Sequence, residues 1–146
     1  MREVIENFER TVESASPALS RITEAASGER SAPGKWSPKE LLGHLIDSAA
    51  NNHQRFVRVQ LADGLSLPGY EQEEWVRLQG YRETAWRDLV ELWRAYNLHL
   101  LRVVALIPAE KLSHQCSVKG GEPVTLRFLV EDYVRHLQHH LRQILG

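Results

Sequence analysis

Apolar residues recur at steps of three and four along most of the chain, the period of an amphipathic helix, and stretches containing Gly and Pro divide the pattern into four long segments. In the first, Val4, Phe8, Val12, Ala15, Leu19, Ile22 and Ala26 form one face. Pro17 lies inside that run and is expected to kink or divide it, because it has no N–H to donate and its ring crowds the preceding turn. Residues 28–34, with Ser31, Pro33 and Gly34, read as a loop.

The second segment has the clearest start. In Trp36-Ser37-Pro38-Lys39-Glu40-Leu41, Ser37 is the expected N-cap, Pro38 takes the first helical position and Glu40 completes a capping box. Trp36 and Leu41 are spaced for a hydrophobic staple. The helix is expected to reach about Ala62, with Leu41, Leu45, Ala49, Phe56 and Val59 on its apolar side. The connection from Gly64 to about Tyr81, with a Pro68-Gly69 turn and solvated Glu71, Glu73 and Glu74, exceeds the usual helix–helix loop of roughly 2–8 residues. Its length permits the second and third helices to run parallel.

The third helix should start near Thr84 and end before Pro108, with Leu89, Trp93, Tyr96, Leu100, Val103 and Ile107 inward. Within 109–123, Gly120-Gly121 between short β-tolerant runs suggests a small hairpin. The last helix, capped by Thr125, continues to residue 146. Four such stripes predict an all-α four-helix bundle, one domain over residues 1–146.

Charge and composition narrow the partners. Lys and Arg number 18 against 19 Asp and Glu, a net charge of -1, so a basic nucleic-acid footprint is absent and no nucleic-acid partner is expected. No apolar stretch approaches the roughly 18 residues of a membrane span, so no membrane partner is expected either. The acidic start MREVIENFERTVES lacks the apolar run of a signal peptide. A single cysteine, Cys116, excludes an internal disulfide, and the expected compartment is the cytoplasm.

The unusual feature is seven histidines. On the last helix the apolar stripe Leu126, Val130, Tyr133, Leu137, Leu141 and Ile144 contains His140, with His136 at its edge and His139 toward solvent or a dimer contact. The i, i+4 spacing of His136 and His140 stacks two imidazoles on one face, as helices that present two ligands to one metal ion do. A third ligand must come from another helix. His44, between Leu41 and Leu45 and in line with Ser48, Asn51 and Arg55, is the best candidate; a hydrogen-bonded packing role is the alternative for each histidine. Three imidazoles with a fourth position free is the build of a catalytic zinc site, though imidazole also suits nickel, copper and iron.

Asp47, one turn after His44, and Asp132, one turn before His136, are placed to orient a ligand imidazole, or to sit on a solvated face. Asp47 is also the candidate general base. Arg55, Asn51 and Tyr96 are candidate pocket residues; His53, His99 and His114 read as surface or packing residues, and Trp36, Trp75, Trp86 and Trp93 as core or loop anchors. Cys116 has no local base, which argues against a cysteine nucleophile.

Three segments, GKWSPKELLGHLIDSAANNHQRF, PGYEQEEW and VTLRFLVEDYVRHLQHHLRQI, together resemble the DinB-like/YfiT-like superfamily, in the order His in the second helix, then HxxxH in the fourth. The resemblance implies an up-down-down-up four-helix bundle whose three histidines, here His44, His136 and His140, bind a divalent ion, commonly zinc or nickel. It further implies a homodimer and either metal-dependent hydrolysis or transfer of a low-molecular-weight thiol to an electrophile.

Thiol transfer to an electrophilic small-molecule substrate is the first expectation, because the sequence fixes no convincing base near the histidines. A metal-dependent hydrolase and a non-enzymatic dimeric metal-binding module are the alternatives. Substrate choice is expected to lie in the 64–81 and 109–123 loops.

Overall fold

The computed structural model describes residues 1–146. Helix α1 (Arg2–Ser20) runs unbroken through Pro17. Pro17 and Glu13, whose carbonyl the proline leaves without a donor, are both exposed, so water can satisfy that carbonyl and the helix continues. The division expected at Pro17 comes instead after Ser20, and Ala26 belongs to a separate helical turn, α2 (Glu24–Ser27), capped by Thr23.

Helix α3 (Pro38–Leu61) has the capping box its sequence predicts: Glu40 N–H donates to Ser37 Oγ at 3.3 Å and Ser37 N–H to Glu40 Oε1 at 3.1 Å. Arg30 clamps the same carboxylate with two bonds of 3.2 Å. Burial pushes the Glu40 carboxyl up, but the bonds from Arg30 and Ser37 outweigh it and hold the group below its ordinary pKa. The buried arc of α3 is wider than expected. Leu41 is only half-buried, whereas Leu42 and Ile46 join the core, because α3 packs against two neighbouring helices.

The 64–81 connection is not a plain loop. It holds strand β1 (Leu65–Leu67), helix α4 (Gln72–Leu78) and the start of a 3-10 turn at Tyr81–Glu83, all too short to carry a periodic signal. After helix α5 (Trp86–Ala105), strands β2 (Gln115–Val118) and β3 (Val124–Thr125) form the expected antiparallel hairpin. Its turn has positive φ at Lys119 and Gly120 and closes through Gly121 N–H to Val118 O at 3.0 Å, the backbone a primed hairpin turn requires. Strand β1 pairs parallel to β2, Leu65 opposite Cys116 and Leu67 opposite Val118. Helix α6 (Leu126–Leu145) follows, with Thr125 Oγ1 accepting from Phe128 N–H.

The bundle consists of α1, α3, α5 and α6, with α3 and α1 each packed against both α5 and α6. Contacts between named residues fix the directions. Leu19, at the end of α1, accepts from Trp86 at the start of α5, so those two run antiparallel. Phe8 meets Tyr133, and Asn7 and Thr11 meet Gln138, so α1 and α6 run parallel. The segments before α3 and α5 share one end, where Lys39 reaches Arg82 O, and β1 and β2 join their other ends; α3 and α5 are parallel. The result is up-down-down-up. One apolar core runs through it, with Phe8, Leu19, Phe56, Trp93, Leu100 and Leu126 all fully enclosed. No helix is long and apolar enough to cross a membrane.

Candidate metal centre

Two of the best-defined helix starts place the histidines. The capping box at Ser37 sets the register of α3 and puts His44 in its second turn, 1% exposed. The Thr125 cap starts α6, which returns antiparallel to α3 and brings His136 and His140 from its later half to the same end of the bundle. Nε2 of His44 lies 3.1 Å from Nε2 of His136. Ring centroids are 5.0 Å apart for His44–His136, 4.8 Å for His44–His140 and 4.5 Å for His136–His140. One ring nitrogen from each falls within 4.8 Å of the others, a set that could hold a metal ion. Both α6 histidines are half-buried, so His140 is no deeper than His136, contrary to the helical wheel.

Burial, reinforced by the neighbouring imidazoles, pushes the pKa of His44 down to about 3 and that of His136 to about 4. Burial also lowers His140, against a hydrogen bond to Gln143 that raises it. All three rings are therefore neutral at pH 7 and keep a lone pair. His140 Nδ1 donates to Gln143 Oε1 at 2.7 Å, which leaves its Nε2 as the free acceptor. Nδ1 of His44 and of His136 is buried without a partner. Two imidazoles facing each other through Nε2 with neither Nδ1 paired are a donor set with an unmet demand, and a divalent cation on the three nitrogens fits it. Trp36 covers the His44 ring at 5.2 Å and closes that side.

Several expected participants stand elsewhere. Asp47 is 2% exposed and does not reach the histidines; its Oδ1 accepts from Tyr81 Oη at 2.6 Å and Gln79 Nε2 at 2.7 Å, and it lines neither of the cavities beside the α6 histidines. It ties the end of α4 to α3 and makes no hydrogen bond to His44. Asp132 is exposed and paired with Arg135 at 3.1 Å, so Gln143 is the side chain that orients one of the three rings, that of His140. Asn51 bonds the Asp47 carbonyl. His53 Nδ1 meets Tyr96 Oη at 2.9 Å with His99 beside it, His114 caps Val59 O, and His139 is exposed against His140. Cys116 is buried in β2, its thiol pushed up by burial.

Each of the two α6 histidines in the set lines a cavity of its own. His136 lines one of about 570 Å³ with Ser48, Asn52 and Arg55, and His140 lines one of about 730 Å³ with Trp36 and Arg30. Glu73, in the first turn of α4, is the one residue that lines both. Its neighbours Glu74 and Glu71 face Arg77 and Lys119, whereas Glu73 has no ion pair or hydrogen bond. The sequence offered no sign of this role, because it depends on how α4 crosses the end of the bundle. Gln143 was within reach of sequence reasoning, three residues after His140 on the same helix.

The fold is shared with solved structures of low sequence identity. YfiT from Bacillus subtilis, described as "a probable metal-dependent hydrolase with an unusual four-helix bundle topology", superposes with a TM-score of 0.87 at 18% identity, covering 98% of this chain and 82% of that one. A mycothiol-dependent maleylpyruvate isomerase superposes with a TM-score of 0.78 at 16% identity, over 98% of this chain and 60% of that one. Among curated proteins, one from Halalkalibacterium halodurans named "putative metal-dependent hydrolase" is 24% identical over 109 residues, 75% of this chain. The match spans 63% of that relative's length. The sequence profile of the DinB superfamily matches residues 7–144, almost the whole chain, and the protein belongs to that superfamily.

Proposed function

We propose that this protein is a divalent-metal-dependent enzyme acting on a small molecule, with His44, His136 and His140 as the protein ligands. The observation that carries the reading is that three neutral imidazoles converge and the two on α6 each line a cavity. A cation bound there supplies Lewis acidity, bringing the pKa of a protic nucleophile toward neutrality. The set contains no carboxylate, and each of its two α6 members lines one of the cavities, so an ion held there would leave room for an outside molecule.

The nucleophile comes from outside the chain, since the one thiol, Cys116, is buried and lines neither cavity. Water is the first choice, and hydrolysis the reaction. Glu73 is a free carboxylate at the junction of the cavities, suited to take a proton from water there, and it replaces Asp47 as the general base. The hydrolase names of two relatives agree with this reading. The second reading is thiol transfer to an electrophile, which needs no protein base. Its support is the pair of cavities, with room for a thiol on one side of the histidines and an electrophile on the other.

The test begins with elemental analysis of untagged protein purified without immobilised metal. About one equivalent of a divalent metal, zinc or nickel first among them, is expected in the wild type and is lost in His140→Ala. Wild type and Glu73→Gln are then assayed on activated esters and, with added thiols, on chloro- and epoxide electrophiles. Thiol-independent ester cleavage that Glu73→Gln abolishes with metal retained supports hydrolysis. Conjugation that needs the thiol and tolerates Glu73→Gln replaces it with transfer. A wild type that neither carries nor takes up metal removes both.

A further inference from the structure

Arg55 is half-buried in the wall of the cavity that His136 lines, and it has no carboxylate partner. Its only side-chain hydrogen bond runs from Nη2 to Pro68 O, a long 3.4 Å. The guanidinium lies at the exposed end of the side chain, close enough to Tyr70 and Cys116 for its charge to act on both. Burial raises the pKa of the Tyr70 hydroxyl and of the Cys116 thiol, and in both the Arg55 charge pulls part of the way back. An arginine that lines a cavity without a counter-charge keeps its donors free for an anion that enters.

The rest of that cavity narrows the anion. Glu71, Glu74 and Asp132 at its rim each face a cation of their own, Lys119, Arg77 and Arg135. Arg55 is the unpaired cation and Glu73 the unpaired anion. With four carboxylates and two cations in its lining, the cavity disfavours a doubly charged group such as a phosphate monoester more than a single negative charge held by Arg55. Arg55 presents the planar fork that a carboxylate matches with two bonds. Between it and His136 the wall is mixed, Ser48 and Asn52 from α3 facing Leu129 and Tyr133 from α6. Eleven residues of α3 separate His44 from Arg55, about 16 Å of helix axis, which leaves length for an organic chain between the two ends.

We propose that this cavity takes a small organic monocarboxylate, its carboxylate on Arg55 and its reacting group at the histidine end. The proposal rests on the reading of the cavity as the substrate side of the site, and it specifies the substrate class.

The test is an NMR titration of chelator-treated protein with hexanoate and with its neutral counterpart hexanamide, so that no metal competes for the carboxylate. Hexanoate is expected to bind at least tenfold more tightly than hexanamide, shifting resonances of the α3 segment 48–55. Arg55→Gln should abolish the preference, Arg55→Lys keep part of it, and Lys119→Gln leave it unchanged. Equal affinities in the wild type, a preference that survives Arg55→Gln, or one that follows Lys119→Gln would overturn the proposal. Should Arg55→Gln fail to fold, a preference that Arg55→Lys leaves untouched would overturn it as well. Metal content of the same variants before chelation is a separate readout, so loss of the carboxylate preference in a variant that was purified with one equivalent of metal leaves the metal-enzyme reading standing.

Discussion

The Nε2 atoms of His44 and His136 stand 3.1 Å apart while the Nδ1 atoms behind them are buried and unpartnered. This pair makes the metal-free protein sensitive to acid. Unfolded, each ring protonates near pH 6.5; folded, burial and the neighbouring rings hold His44 to about 3 and His136 to about 4. Between those limits the unfolded chain binds more protons, so stability rises with pH from about 3 to 6.5 and levels off above. Urea denaturation of chelated protein from pH 4 to 8 should show this slope, at most about 1.4 kcal/mol per pH unit for each ring. His44→Phe should reduce it to the part that the α6 histidines contribute; an unchanged slope would place the His44 ring in solvent.

Metal should act on the same pair in the opposite sense. At pH 7 the three imidazoles are already neutral, so binding displaces few protons and its affinity should change little between pH 7 and 8. Free metal at one hundred times its dissociation constant stabilises the fold by about 2.7 kcal/mol, which for a chain of this length corresponds to roughly 6–10 °C in melting temperature. Calorimetric melting with and without chelator checks this, and His136→Ala should erase the difference.

Asp47 carries a linkage of opposite sign. Burial pushes its carboxyl up, only partly offset by bonds from Tyr81 and Gln79, and Oδ2 has no partner. A raised carboxyl contributes stability below its unfolded pKa of 3.8 and loses it as pH climbs through the folded value. Asp47→Asn should therefore be at least as stable as the wild type at pH 7, with the advantage gone by pH 4. It should keep its metal and its activity. Loss of activity in Asp47→Asn with metal bound would restore Asp47 as the base.

Asp47 also marks where the sequence stops being informative. Ser37 and Glu40, or Thr125 and Phe128, act over three residues, so the helix starts are written locally. The histidine centre was legible because two of its members share one helix at i, i+4 and the third lies at the edge of an apolar stripe. Asp47 has the same helical spacing from His44 that a supporting carboxylate would have. Its actual partners, Gln79 and Tyr81, come from a connection with no periodic signal. Glu73 and β1 were hidden for the same reason: each acquires its role only when the 64–81 segment folds back over α3 and β2.

That fold-back depends on Gly43. A Cβ built there falls within 3.0 Å of three carbons of the Tyr81 ring, whose hydroxyl holds Asp47. Alanine in the middle of a helix is ordinarily worth up to about 1 kcal/mol over glycine. Here the ring must move, a repacking that costs about 1–3 kcal/mol, so Gly43→Ala should be net destabilising despite the better helix former. Displacing Tyr81 also frees the end of α4, the helix that carries Glu73 to the junction of the cavities. Hydrogen exchange should quicken across 72–83 in Gly43→Ala while α6 stays protected and the metal stoichiometry holds. Activity should fall through Glu73, and Gly43→Ala combined with Tyr81→Leu should recover part of the stability by making room for the methyl group. An alanine variant as stable as the wild type, with α4 still protected, would show that the segment is held by other contacts.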